Sequence, residues 1–144
     1  LTSNGNVYGC GSNAYGQLTN ASIKLLISKI LGNNDIIKIG CCESTSLILT
    51  NKNELKIFGE NIETTGDCVY DGIKTLPVSD VIHFHCGYDH FGYITNNNKL
   101  YMSGKNNYCQ CGIQNHNHNS SMDYCSSESF IYNNDNNIID VKCG

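Results

Sequence analysis

An all-β fold assembled from about three copies of one strand-rich unit is what this 144-residue sequence predicts. The first observation is a spacing: Thr2 and Gly11, Thr50 and Gly59, and Thr95 and Gly104 each lie nine residues apart. The second is an alternating apolar element that also recurs, ending at Cys41, Cys86 and Cys143. The third is order, because eight residues separate Cys42 from Thr50 and again Gly87 from Thr95. Motifs that recur in one order at near-fixed spacing mark stacked copies of a single supersecondary unit. In such proteins function belongs to the assembled surface more than to one catalytic cluster.

Each element follows from its own residues. The polar turn Ser3-Asn4-Gly5-Asn6 leads into a short strand, Val7-Tyr8-Gly9-Cys10, closed by Gly11. Ile23, Leu26, Ile27, Ile30 and Leu31 then fit either a strand with a loop, the preferred reading, or a short helix with one apolar stripe. Ile37-Lys38-Ile39-Gly40-Cys41 alternates, which places Ile37, Ile39 and Cys41 on one strand face and Lys38 and Gly40 on the other. Strands at 46–49 and 55–58 flank the turn Asn51-Lys52-Asn53-Glu54. The stretch Ile73-Lys74-Thr75-Leu76-Pro77 reads as an edge strand, since proline cannot donate to a ladder. The third unit repeats the pattern with Ile82-His83-Phe84-His85-Cys86, Phe91-Gly92-Tyr93-Ile94, the turn Asn96-Asn97-Asn98-Lys99 and Leu100-Tyr101-Met102-Ser103.

Residues 114–137, dense in Asn, His and Ser, have little to bury and are expected to form a mobile surface loop. The first element then returns as Ile139-Asp140-Val141-Lys142-Cys143-Gly144. The expected organisation is one domain: a partial repeat over 1–35, repeats over 36–80 and 81–137, and the start of another over 138–144. Gly11, Gly59, Gly104, Gly87 and Gly144 are expected where strands turn or backbones approach closely. Cys41, Cys86 and Cys143 are expected as small buried hydrophobes with free thiols.

Composition narrows the function. All nine basic residues are Lys and the net charge is −4, so the bidentate Arg reader of guanine is missing and sequence-specific nucleic-acid binding is not expected. Nine cysteines cannot all pair internally, and free thiols point to the cytoplasm or nucleus. No stretch approaches a membrane span of roughly 20 apolar residues. The opening Leu1-Thr2-Ser3-Asn4 does not read as a signal peptide and looks like a cut end.

The assembled unit reads apolar-x-apolar-x-Cys-Gly-x-x-His, then Leu/Ile-Thr, a turn, a strand, and Gly-x-Asn-x-Tyr-Gly-Gln-Leu. Its clearest pieces are Cys86-Gly87-Tyr88-Asp89-His90 and Gly11-Ser12-Asn13-Ala14-Tyr15-Gly16-Gln17-Leu18. This pattern resembles the regulator of chromosome condensation repeat family over essentially the whole chain except 114–137. The resemblance implies blades of four antiparallel strands in a β-propeller that usually has seven. About three repeats would then be an arc of a larger ring, contributed by a longer chain or by associating copies. It also implies that His90, at the family's repeat histidine, hydrogen-bonds within its blade. Departures are local: Cys42 and Thr45 stand where the family favours Gly and His, and Cys109 and Cys111 replace a Gly and a Leu.

Several constellations could carry chemistry. Cys109, Cys111, His116, His118 and Cys125 have zinc-ligand side chains, but both pairs skip one residue, closer than the two to four usual in structural sites. The expectation is no metal and no cofactor. Pairing Cys86 with His83 or His85 as a nucleophile fails on alternation, which sends both to the opposite face, and the resemblance implies a structural role for His90. No Ser-His-Asp order or phosphate-binding glycine loop is present. Tyr15, Tyr88 and Tyr108 fall in loop segments and, with Phe130 and Tyr132 in the third-unit insertion, are the candidate anchors for a protein partner.

Two functions are therefore expected to compete. One is a non-catalytic protein–protein interaction platform. The other, implied by the resemblance, is guanine-nucleotide exchange on a Ran-type small GTPase, with 114–137 as the projecting insertion. A light sensor like the plant UV-B receptor would need tryptophan, and the chain has none.

Overall fold

The computed structural model describes residues 1–19, 24–32, 35–60, 73–112, 124–125, 130–132 and 138–144, with 24–28, 124–125 and 130–132 described as backbone. Eleven strands and no helix occur among them. β1 (Asn6–Gly11) pairs antiparallel with β2 (Lys24–Gly32). β3 (Ile36–Cys41), β4 (Thr45–Thr50), β5 (Leu55–Gly59) and β6 (Lys74–Thr75) form a four-stranded antiparallel sheet in that order. β7 (Val81–Cys86), β8 (His90–Thr95) and β9 (Leu100–Lys105) build the next sheet, whose outer edge is β10 (Tyr124–Cys125) and β11 (Phe130–Tyr132), both paired with β9.

These outer pieces lie inside the 114–137 tract that composition assigns to a loop. The sheet uses Tyr124, Cys125 and Phe130–Tyr132 to cover an edge that would otherwise present unpaired backbone groups. The ambiguity over the Ile30–Leu31 stretch resolves as strand across Lys24–Gly32, with Ile23 outside the described residues, and Pro77 follows an edge strand of two residues.

The hairpins explain the recurring threonines. Thr50 N–H donates to Glu54 O at 3.0 Å and Asn53 N–H to Thr50 O at 2.9 Å, with Asn53 left-handed at φ 61°. Thr95, Asn98 and Lys99 repeat this geometry, and so do Thr2, Gly5 and Asn6. This is the three-residue hairpin, in which a turn is followed by one left-handed residue, a conformation that Asn and Gly tolerate best. The threonine hydroxyls join in: that of Thr50 accepts from Glu54 N–H at 3.2 Å, and that of Thr95 donates to Asn97 Oδ1 at 2.5 Å.

The core lies between neighbouring sheets. Leu47, Leu49, Leu55 and Ile57 face Phe84, Phe91 and Tyr93 of the next sheet, while Ile48 and Phe58 turn the other way to meet Val7 and Ile36. Every residue of β4 and of β8 is buried. A sheet covered on both faces needs apolar side chains at odd and even positions alike, as Leu47-Ile48-Leu49 supplies.

The innermost strands depart from simple alternation. Register shifts between Ile36 and Lys38, and between Val81 and His83, insert one extra residue in each strand. Ile36 is therefore buried and Ile37 is 53% exposed, with Ile39 packed beside Ile36. The expectation that Ile37, Ile39 and Cys41 share a buried face is corrected. Cys41 is exposed, whereas Cys86 and Cys143 are half-buried. The reason is the neighbour: Cys86 Sγ lies against Gly40 of the preceding sheet and Cys143 Sγ reaches His85 O at 3.5 Å, while no described inner strand precedes β3.

Candidate partner-binding face

Four connections meet at one end of the sheets: 42–44, 87–89, 12–19 and 106–112. The first two are tight, with Cys42 N–H donating to Thr45 O and Gly87 N–H to His90 O, each at 2.8 Å. The glycines at the exit of the third strand of each unit fix how the longer loops leave. Gly59 and Gly104 both have φ 110°, and a Cβ there would fall 2.3 Å from Ser44 O and 2.4 Å from Asp89 O. Only glycine lets the strand end pass this close to the neighbouring connection, and Lys105 N–H can then reach Asp89 O at 2.8 Å.

An asparagine organises each long loop. Asn13 Oδ1 accepts from Leu18 N–H at 2.6 Å, its amide donates to Thr19 O at 2.9 Å, and Tyr15 N–H reaches Gln17 Oε1 at 3.0 Å. In the third unit Asn106 Oδ1 accepts from Cys111 N–H at 2.9 Å and Tyr108 N–H reaches Gln110 Oε1 at 2.8 Å. Tyr15 and Tyr108 thus hold equivalent positions, lifted off the loop by its own hydrogen bonds. They are 43% and 85% exposed, and Tyr88 in the 87–89 connection is 62% exposed.

Tyr88 and Tyr108 line an open cleft of about 330 Å³ with Asp89, His90, Lys105 and Gly144. Asp89 and Lys105 form an ion pair at 3.2 Å. His90 lies against Gly87 and is buried, which lowers its pKa because the charged imidazolium loses hydration, with Asp89 opposing. The Tyr88 hydroxyl donates to Glu43 Oε1, and Glu43 N–H donates to Tyr88 O at 2.9 Å. That phenol holds its proton above the usual range because it donates to the carboxylate. The two bonds tie one sheet's connection to the next and orient the Tyr88 ring.

Other candidates separate. Cys109 is exposed at φ 60°, whereas the Cys111 thiol is fully buried and donates to Lys105 O at 3.5 Å. His116 and His118 lie outside the described residues, and Cys125 is described as backbone opposite Gly104. Among the described residues no group of three or more His, Cys, Asp or Glu is placed to hold a metal. Phe130 and Tyr132 are in β11, and their side chains lie outside the description.

Alternation misses a polar ladder across the innermost strands. Lys38 Nζ donates to His83 Nδ1 at 3.3 Å and to Phe84 O, and sits 4.7 Å from the Phe84 ring centroid. His83 Nε2 donates onward to Asp140 Oδ1 at 2.8 Å, and Lys142 Nζ pairs with the same carboxylate at 3.2 Å. Burial, then Lys38, lowers the His83 pKa. A signal for the ladder does exist in the sequence: Lys38, His83 and Asp140 occupy one repeat position, three residues before Cys41, Cys86 and Cys143.

Residues 1–17 match the family model of the regulator of chromosome condensation (RCC1) repeat. An RCC1 repeat-containing protein of Dictyostelium discoideum is 26% identical over 134 residues, covering 79% of this chain and 28% of that protein. Human WBSCR16 superimposes with a TM-score of 0.80 at 18% identity, covering 100% of this chain and 39% of that one. Prp20p from Saccharomyces cerevisiae, whose crystal structure is described with its binding to Gsp1p and histones, gives 0.73 at 20% identity over 94% of this chain and 34% of its own. The chain thus spans less than two-fifths of each of these relatives. The structural likeness establishes the fold: antiparallel propeller blades, of which this chain supplies part of a ring.

Proposed function

Because this chain belongs to the regulator of chromosome condensation repeat family, we propose that it serves as a non-catalytic platform that holds a protein partner on the loop end of its blades. The observation that carries this reading is the set of exposed tyrosines, Tyr15, Tyr88 and Tyr108, brought to one end of the arc by separate units. Tyrosine offers large contact area with little side-chain entropy to lose, and such residues dominate binding energy at protein interfaces. Tyr88 is further pre-oriented by Glu43. Free thiols and the family pattern support a cytoplasmic or nuclear setting for this work.

The test is quantitative proximity labelling in cells with the full-length protein against its Tyr88→Ala/Tyr108→Ala variant. Aromatic anchors contribute about 2 kcal/mol or more each, so the principal partner should be labelled at least tenfold less by a variant whose circular dichroism is unchanged. Unchanged labelling of every partner would move the interface off this end.

A second reading is nucleotide exchange on a Ran-type small GTPase, favoured by the likeness to Prp20p and its binding to Gsp1p. An exchange factor acts by binding the nucleotide-free state more tightly than the loaded one, which needs no covalent chemistry. Release of a fluorescent guanine nucleotide, accelerated by orders of magnitude on adding the full-length protein, would select this reading over a passive platform.

A further inference from the structure

Two thiols meet where one blade packs on the next. Cys42 follows β3 and Cys86 ends β7, and both pack against the core cluster shared by the two sheets. The Cys42 thiol donates to His90 O at 3.7 Å and has the Cys86 thiol as its neighbour in the same cluster. Gly40 makes the approach possible, because a Cβ there would fall 2.7 Å from Cys86 Sγ and 2.6 Å from the Phe84 ring. Backbone bonds hold the register, with Glu43 N–H on Tyr88 O at 2.9 Å immediately after the pair. Both cysteines are half-buried, open to a small oxidant and closed to a large one.

We propose that Cys42 and Cys86 form a redox modification site, a thiol pair that a peroxide converts into a disulfide linking adjacent blades. The neighbouring Cys86 thiol and burial hold the Cys42 proton far above the ordinary thiol range, so the first attack on peroxide is assigned to the Cys86 sulfur. Its thiolate takes one peroxide oxygen, the O–O bond breaks, and the other oxygen leaves as water after gaining a proton. The Cys42 sulfur then attacks the Cys86 sulfenic acid, the S–O bond breaks, and the oxygen departs as a second water carrying the Cys42 proton. Two thiols are oxidised and one peroxide is reduced to two waters. A dithiol reductant reverses the link by exchange. In a reducing compartment the pair stays open.

The experiment treats the folded full-length protein with hydrogen peroxide, alkylates the remaining thiols and maps cross-linked peptides by mass spectrometry. A Cys42–Cys86 peptide, lost on reduction and missing from Cys42→Ser, is the expected result. The denaturation midpoint should rise on oxidation of the wild type and not of Cys42→Ser. Recovery of Cys42 and Cys86 both alkylated, while exposed Cys10 or Cys109 has oxidised, overturns the proposal. So does a dominant Cys86–Cys143 link. The mapping is read on the wild type, so a variant that fails to fold leaves the answer intact.

Discussion

The loops 12–19 and 106–112 adopt one hydrogen-bond scheme on different residues. In the first, Gly16 takes the left-handed position at φ 76° and Leu18 is the buried plug. In the second, Cys109 takes that position at φ 60° and Cys111 the plug, with its Sγ reaching Lys105 O. Gly16 N–H and Cys109 N–H donate to the backbone oxygens of Asn13 and Asn106 at 3.2 and 3.0 Å. The turn is therefore defined by the asparagine and the preceding strand end, not by the glycine that usually marks it. A left-handed residue with a side chain is tolerated where these two features over-determine the conformation.

The sharpest way to break the scheme is at the strand end. Gly104→Ala should destabilise by about 3 kcal/mol or more, since it combines φ 110° with a Cβ 2.4 Å from Asp89 O and 2.6 Å from the His90 Cα. Gly11 has φ 104° but no described atom within 4 Å of its Cβ, so Gly11→Ala should cost only the backbone term, about 1–2 kcal/mol. Denaturant midpoints of the two variants measure the difference, and equal losses would show that the close approach contributes nothing. Next in size is Asn106→Ala. It strips the partner from the Cys111 N–H in a buried loop, at about 1–3 kcal/mol. Exposed Tyr108 should lose its fixed position, readable as a fall in its fluorescence anisotropy.

Much of this geometry is legible in the amino-acid sequence. The Thr-to-Gly spacing marks one hairpin because the hydroxyl, the left-handed Asn or Gly and the exit glycine are each needed at a fixed offset. Local chemistry of that kind repeats faithfully in sequence. The bulges at Ile36/Lys38 and Val81/His83 are not legible, because an extra residue leaves no mark in an alternating run of Ile, Lys and His. Without them Ile37 falls on the wrong face, whereas the Lys38–His83–Asp140 ladder is marked by its shared repeat position. The exposure of Cys41 depends on which strand lies beside it, a long-range fact that spacing does not encode. Tyr15, Tyr88 and Tyr108 are readable as loop residues, but their meeting at one end requires the arrangement of the blades.

Cys109→Gly runs the comparison in the other direction. It gives the third-unit loop the residue that the first has at Gly16, and it should raise stability by about 1 kcal/mol by removing left-handed strain. The gain is partly offset by the larger freedom of glycine in the unfolded chain. A denaturant midpoint that falls instead would mean that the Cys109 side chain makes a contact worth more than the strain.

The smallest effect separates the blades by pH. His90 sits where the preceding blade has Thr45, each opposite the exit glycine of its own sheet. Burial lowers the His90 pKa in the folded state, so between that value and the unfolded value near 6.5 the unfolded chain binds more protons. Stability therefore rises with pH through this window and levels off above about 6.5, where both states are neutral. His83, lowered by burial and by Lys38, adds a contribution of the same sign. His90→Thr makes the third blade match the second at this position and should flatten the slope of thermal stability between pH 5 and 7 without altering it above 7. If the slope is unchanged, the acid sensitivity belongs to the His83 ladder on the inner strands, and Asp140→Asn is the variant that should move it.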